Sequence, residues 1–129
     1  MSRRLTLCIS ALLLAAPAMV AAHHSFAVYD MEKDVVFEGV VETLKLRNPH
    51  MSMTLATEQN GERRIVNFVE GAPANMLVRM GVDPASIKPG AKIKAIGSPR
   101  KDDPEAFFLK TIILEDGTRY DTLGGGAER

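Results

Sequence analysis

The 129-residue chain contains no tryptophan and a single cysteine, Cys8, and only 5% of its residues are aromatic. One cysteine excludes an intrachain disulfide, and it excludes the zinc and iron–sulfur sites that need several thiolates. The 16 basic and 16 acidic residues balance, whereas domains that bind nucleic acid usually carry a basic patch. We therefore expect no nucleic-acid partner. The sequence does contain one long apolar run, Leu5 to Ala16.

The first 22 residues have the pattern of a cleavable secretory signal peptide. Arg3 and Arg4 form a positive start, the apolar run follows, and Val20-Ala21-Ala22 offers small or modest side chains before a cleavage site. The run is well short of the roughly 20 residues that span a bilayer, which argues against a membrane anchor. We predict cleavage after Ala22, export to the periplasm and no membrane attachment afterwards.

The predicted mature chain has the size of one small domain. Removal of Arg3 and Arg4 leaves 14 basic and 16 acidic residues, a formal charge of −2. Cys8 leaves with the signal peptide, so any metal site must use histidine, methionine, carboxylate or backbone ligands. We divide the mature chain into an extended arm (residues 23–34), a barrel domain (35–121) and a flexible tail (122–129).

Apolar and β-branched residues predict five strands, with a helix between the third and the fourth. Gly39 predicts a bend or bulge in the first strand, Asn60-Gly61 a hairpin turn, and Pro73 and Gly81 the start and end of the helix. This order matches a small oligonucleotide/oligosaccharide-binding (OB) barrel. An open α+β sheet and a β-sandwich are the alternatives. The predicted strands are Val35–Leu46, Met51–Thr57, Arg64–Val69, Ala91–Ser98 and Ala106–Leu114.

The three histidines are the candidate metal ligands: His23, His24 and His50. Cleavage after Ala22 would uncover an α-amino group on His23, which can chelate a metal through the amine and its own ring. A second imidazole, from His24 or His50, would complete a histidine brace, a set of three nitrogens that suits Cu(II). Cleavage one residue earlier would place a histidine third in the chain, which also binds Cu(II). The plain alternative is a solvated histidine pair and a His50 that only caps a turn.

Other side chains near these histidines have two interpretations each. Glu70, at the end of the third strand, could orient a histidine ring as a carboxylate outside the ligand set, or it could be a solvated charge. Met31, Met51 and Met53 could supply thioethers for Cu(I). Met51 and Met53 lie on an apolar strand face, which favours core packing. The acidic loop from Asp102 to Glu105 lacks the ligand spacing of a calcium site.

The sequence carries no catalytic triad, phosphate loop or dinucleotide motif. Small size and the absence of tryptophan, which leaves no flat aromatic platform for a polymer, argue against an oxidative copper enzyme. Two functions remain as hypotheses: a periplasmic copper-binding protein for buffering or delivery, and a metal-free barrel that binds a cell-envelope protein or a small ligand. The sequence predicts no oligomeric state.

Several short motifs resemble those of a domain-of-unknown-function family of small exported bacterial proteins. The resemblance covers nearly all of the predicted mature chain and implies a periplasmic protein of a Gram-negative bacterium, with no established activity. Family members often carry aromatic residues after Asn-Pro-His, where this chain has Met51 to Met53. The motifs are His23-His24-Ser25-Phe26, Gly39-Val40-Val41, Asn48-Pro49-His50, Val69-Glu70, Pro73-Ala74-Asn75 and Ile87-Lys88-Pro89-Gly90.

Overall fold

The structure is a computed structural model that describes residues 26–124 and 127–128. It is mainly β, with one short α-helix and one 3₁₀ turn between the third and fourth strands. No helix within the described part of the chain is long and apolar enough to cross a membrane. The elements are β1 (Val35–Lys45), β2 (Ser52–Gln59), β3 (Glu62–Glu70), α1 (Ala74–Arg79), a 3₁₀ turn (Pro84–Ile87), β4 (Lys92–Pro99), β5 (Ala106–Leu114), β6 (Arg119–Asp121) and β7 (Ala127–Glu128).

Five strands close into a barrel. The strand order is β3-β2-β1-β4-β5 with antiparallel neighbours, and a parallel pairing of β3 with β5 joins the two ends. At that seam Phe68 lies opposite Phe107, and Glu70 lies opposite Phe108. The pairing and the helix between β3 and β4 confirm the predicted five-stranded OB-like barrel, and they exclude the open sheet and the sandwich.

β1 is long enough to pair with two strands. Residues 35–40 pair with β4, and residues 39–45 pair with β2, so the partners change at Gly39 and Val40. A Cβ atom on Gly39 would lie 2.1 Å from the carbonyl oxygen of Ala56 on β2. The predicted bulge is not at Gly39, however. The register shifts between Val41 and Thr43, so Glu42 is the extra residue, and the glycine instead permits close approach of the two backbones.

The β2–β3 hairpin and α1 follow their sequence signals. Asn60 and Gly61 both have positive φ values, 55° and 78°, as a two-residue turn between twisted strands requires. Pro73 caps the amino-terminal end of α1, and Gly81 follows the helix with φ 83°. Leu77 of α1 is buried in the hydrophobic core. These three predictions are confirmed.

The barrel interior is filled from alternating positions of the strands. Met51, Met53 and Leu55 are buried, which confirms core packing for the two methionines and removes them as exposed thioethers. The ring of Phe37 packs edge-on to Phe68 and Phe107, with centroids 5.9 and 4.8 Å apart. Such edge contacts add to the free energy of burial.

Two segments outside the barrel differ from their predicted form. Residues 26–34, predicted as an extended arm, make a short turn and pack on the barrel through an isolated bridge from Tyr29 to Arg100. The predicted flexible tail includes Thr122, whose buried hydroxyl donates to the carbonyls of Leu109 and Lys110, and β7, which pairs with β6. The first segment bonds to the backbone that follows β4, and Thr122 bonds to carbonyl groups of β5. These contacts depend on the tertiary structure, so local sequence does not predict them.

The core predicts a large loss of stability for Leu109→Ala. Leu109 is fully buried in the interior cluster, and such truncations leave a cavity that costs about 2–5 kcal/mol in the free energy of unfolding. Leu123→Ala is the matched control, because the same change is made at an exposed side chain and should stay within about 0.5 kcal/mol. Urea denaturation of both variants checks the difference, and equal midpoints would contradict this account of the core.

Candidate metal centre

The segment before β1 is bound closely to the barrel. The Asp30 amide donates to the Pro99 carbonyl (2.9 Å), and the Lys101 side chain donates to the Ala27 carbonyl (2.9 Å). Phe26 packs edge-on to Phe108 of β5, with ring centroids 5.3 Å apart. We call residues 26–34 the docked arm. These contacts hold residues 26–34 against β4 and β5.

Tyr29 is the most buried side chain of the docked arm. Its ring is 2% exposed, lies edge-on to Phe108 at 5.5 Å and has the Arg100 guanidinium 5.8 Å from its centroid. Its hydroxyl donates to Oε2 of Glu70 at 2.9 Å. Burial, and then the hydrogen bond to Glu70, raise the pKa of Tyr29 above its usual value. The phenol is therefore protonated and able to donate at neutral pH.

Arg100 is itself held in place. Its guanidinium makes a two-pronged contact with Asp102, with Nε–Oδ1 and Nη2–Oδ2 distances of 2.9 Å. This pairing holds the pKa of Asp102 below its usual value. Both Asp102 oxygens therefore bind Arg100 and orient its guanidinium beside Tyr29.

Glu70 joins the docked arm to His50. While Oε2 accepts from Tyr29, Oε1 lies 3.3 Å from Nδ1 of His50. The same Nδ1 lies within hydrogen-bond distance, 3.3 Å, of the Gly71 carbonyl oxygen. The side chain of Glu70 is 17% exposed, whereas that of His50 is 44% exposed. Tyr29, Glu70 and His50 therefore form a continuous polar chain from a buried ring to an accessible imidazole.

The loop that carries His50 is fixed from both sides. The Asn48–Pro49 peptide bond is cis. The Asn75 amide donates to the Asn48 side chain at 3.2 Å, and the Met51 amide donates to the Ala72 carbonyl at 3.1 Å. Two segments distant in sequence, the β1–β2 loop and the β3–α1 connection, thereby hold His50 beside Glu70.

The partners of His50 identify its neutral tautomer. Both neighbours of Nδ1 are acceptors, a carboxylate oxygen and a carbonyl oxygen, so Nδ1 carries the hydrogen. The lone pair then lies on Nε2, which makes no hydrogen bond within the described residues. Metal-binding histidines usually donate their other ring N–H to a carboxylate or a carbonyl, which fixes the orientation of the ring and strengthens it as a ligand.

The structure tests the sequence-predicted site only in part. It brings His50 and Glu70 together, and Glu70 contacts the ring instead of being merely solvated. His23 and His24 lie outside the described residues. Between residues 26 and 124 no group of three or more histidine, cysteine or acidic side chains could hold a metal ion, so a complete site would need ligands from elsewhere. Met31, the third candidate for a thioether ligand, accepts a hydrogen bond from the Lys110 side chain through its backbone carbonyl.

Sequence reasoning missed Tyr29. It lies in a segment without periodicity, and neither its burial nor its distant partner Glu70 is visible locally. A large aromatic residue within a polar segment of a chain that is poor in aromatics was the available signal, because tyrosines that become buried usually need a partner for the hydroxyl.

A second concave feature lies toward the other end of β2. This groove, of about 1020 Å³, is formed where β1 passes between β2 and β4 around Gly39. Its charged residues include Arg63, which pairs with Glu42, and Lys94, which pairs with Glu38 at 3.6 Å. Because these charges are of mixed sign, the groove has no strong preference for an anion or a cation.

The match to a known family covers β1 to β4 and the first two residues of β5. A family of unknown function, DUF6152, matches residues 11–107, three quarters of the chain. The chain belongs to the DUF6152 family. Membership confirms the resemblance to a domain of unknown function and carries no activity with it. Neither the curated proteins nor the solved structures include a significant match.

Proposed function

We propose that the protein is exported, loses a signal peptide after Ala22 and binds one copper ion through nitrogen ligands. His23 would provide its α-amino group and its ring, and His50 would provide Nε2, with His24 as the alternative third ligand. Three nitrogens in this arrangement suit Cu(II), which prefers tetragonal nitrogen and oxygen sites. The proposed role is copper buffering or delivery in the periplasm.

The observation that carries this proposal is the orientation of His50. Its Nδ1 faces Oε1 of Glu70 and the Gly71 carbonyl, each at 3.3 Å, which leaves Nε2 as the free lone pair on a ring that is accessible. A histidine that only capped a turn would need the carbonyl contact alone. The additional carboxylate is the arrangement that commonly supports a metal-binding imidazole.

The docked arm makes the proposed ligand set sterically reasonable. Phe26 packs on Phe108, and Tyr29 bonds to the carboxylate that contacts His50. His23 is three residues before Phe26, and three Cα-to-Cα steps correspond to about 10 Å of extended chain. The amino terminus of a chain cut after Ala22 would therefore start within a short distance of the Phe108 end of the barrel.

The first test is His50→Ala in a chain that begins at His23. We expect Cu(II) affinity to fall by about 100-fold, since changes outside the ligand set already cost 10- to 100-fold and this change removes a ligand. The nitrogen hyperfine pattern in the EPR spectrum should change with it. Arg47→Ala, an exposed residue of the same loop, is the control and should bind as the wild type does. An unchanged spectrum for His50→Ala would exclude the ligand.

The groove around Gly39 favours a second candidate, a metal-free module that binds a small ligand or a cell-envelope protein. Under this alternative the double change His23→Ala, His24→Ala leaves function in the cell intact. Charge reversal of Lys92, which lines the groove, should then be harmful. The copper proposal expects the opposite ranking of these two variants.

A further inference from the structure

We infer that Tyr29 is a positioning residue for His50. Through its hydroxyl it holds one oxygen of Glu70 so that the other oxygen faces Nδ1 of the imidazole. The inference concerns the orientation of His50 in the metal-free protein. It rests on the proposed function only in its consequence for copper affinity.

The contacts around Tyr29 leave its hydroxyl little freedom. Phe108 borders the ring at 5.5 Å, and Arg100, fixed by Asp102, lies 5.8 Å from the ring centroid. The backbone at Tyr29 is held by its bridge to Arg100. A phenol that is fixed on so many sides can donate in one direction only, toward Oε2 of Glu70 at 2.9 Å.

The hydrogen bond from Tyr29 acts on the plane of the Glu70 carboxylate. Glu70 is the last residue of β3, and the terminal torsion of a glutamate is broad and only weakly restricted. A hydrogen bond to Oε2 selects the rotation that directs Oε1 toward His50. Loss of the hydroxyl removes this constraint on Oε2, so Oε1 should face Nδ1 less often, while the Gly71 carbonyl remains beside Nδ1.

The same contact also links the docked arm to the barrel. Tyr29 is the arm residue whose side chain contacts Glu70, and it lies six residues after His23. The docked arm therefore also provides the contact that orients the imidazole.

Tyr29→Phe tests the inference because it keeps the ring and removes only the hydroxyl. Nitrogen-15 NMR of the metal-free protein reports the tautomer of His50. We expect almost only the Nδ1–H form in the wild type and a measurably larger share of the Nε2–H form in the variant, because one of the two acceptors beside Nδ1 is then less well placed. Tyr120→Phe is the matched control: its hydroxyl meets the Gly81 carbonyl at 3.5 Å, away from His50, and its loss should leave the tautomer unchanged.

Copper binding supplies the second readout. We expect Tyr29→Phe to lower Cu(II) affinity by about 10-fold, within the range for groups that orient a ligand, while Tyr120→Phe leaves it unchanged. Circular dichroism establishes that each variant is folded. If Tyr29→Phe is not folded, Glu70→Gln replaces it. If Tyr29 holds the amide oxygen, the NH2 group faces Nδ1 and His50 should change to the Nε2–H form, whereas an amide that Tyr29 does not hold can turn its oxygen to Nδ1–H and leave the tautomer unchanged.

The outcomes separate the two proposals. A His50 tautomer that is the same in Tyr29→Phe, or in Glu70→Gln where that variant is used, overturns the positioning role whatever copper does. A changed tautomer in a wild-type protein that binds no copper supports the positioning role and overturns the proposed function. Equal effects of Tyr29→Phe and Tyr120→Phe would show a general loss of packing and would also overturn the positioning role.

Discussion

Acetylation of the amino terminus should lower the Cu(II) affinity of a chain that begins at His23 by about 100-fold or more. Acetylation converts the α-amine into an amide, whose nitrogen has no basic lone pair for a metal. The free amine has a reference pKa of about 7.7–8.0, so it can lose its proton to a metal near neutral pH. Acetylation also breaks the chelate that the amine forms with the His23 ring. Isothermal titration of acetylated and free chains gives the ratio directly.

A shift of one residue in the start site is the informative control for that experiment. A chain that begins at Ala22 presents His24 as its third residue, which binds Cu(II) through the amine, amides and one imidazole. Its affinity should not depend on His50, whereas that of the chain beginning at His23 should. If His50→Ala has the same effect in both frames, the proposed bridge between arm and barrel is wrong.

The second large effect is expected for Gly39→Ala, which should reduce the free energy of unfolding by about 3 kcal/mol. The new Cβ would lie 2.1 Å from the Ala56 carbonyl oxygen, and that backbone atom cannot move aside as a flexible side chain could. β1 and β2 would have to separate at the position where β1 changes partners.

Gly90→Ala is the control for this prediction. It adds the same methyl group at a position where there is space for it but where the backbone angle φ is unfavourable for alanine. Gly90 has φ 94° and open space around it, so alanine there should cost only the backbone strain, about 1 kcal/mol in the free energy of unfolding. Urea midpoints with unchanged m values would rank the variants. A Gly39→Ala protein as stable as Gly90→Ala would show that the two strands can separate without a large loss.

Local sequence predicted the barrel well because its strongest signals are local. Asn60-Gly61 requires a turn in any context, and the alternation of Met51, Met53 and Leu55 requires a buried face. The bulge was misplaced because Gly39 and Glu42 are both compatible with one. Which of them is used depends on the approach of β2, and that is a tertiary contact.

Of the polar chain formed by Tyr29, Glu70 and His50, the sequence predicted the imidazole and the carboxylate as candidates. His50 and Glu70 are 20 residues apart, and their contact depends on how the β1–β2 loop packs on the β3–α1 connection. Tyr29 could not be placed, because its partner lies 41 residues away and nothing in the arm encodes that distance. Long-range pairing of this kind is set by the closed barrel.

The parallel seam between β3 and β5 has a consequence for the order of folding. Glu70 lies opposite Phe108 there, and the same two residues receive the hydroxyl and the ring of Tyr29. Contacts that close such large loops reduce the conformational entropy of the whole intervening chain. We therefore expect them to form late in folding. A ligand bound between the arm and His50 would then recognise only completed barrels, and saturating it would raise the midpoint of unfolding by mass action.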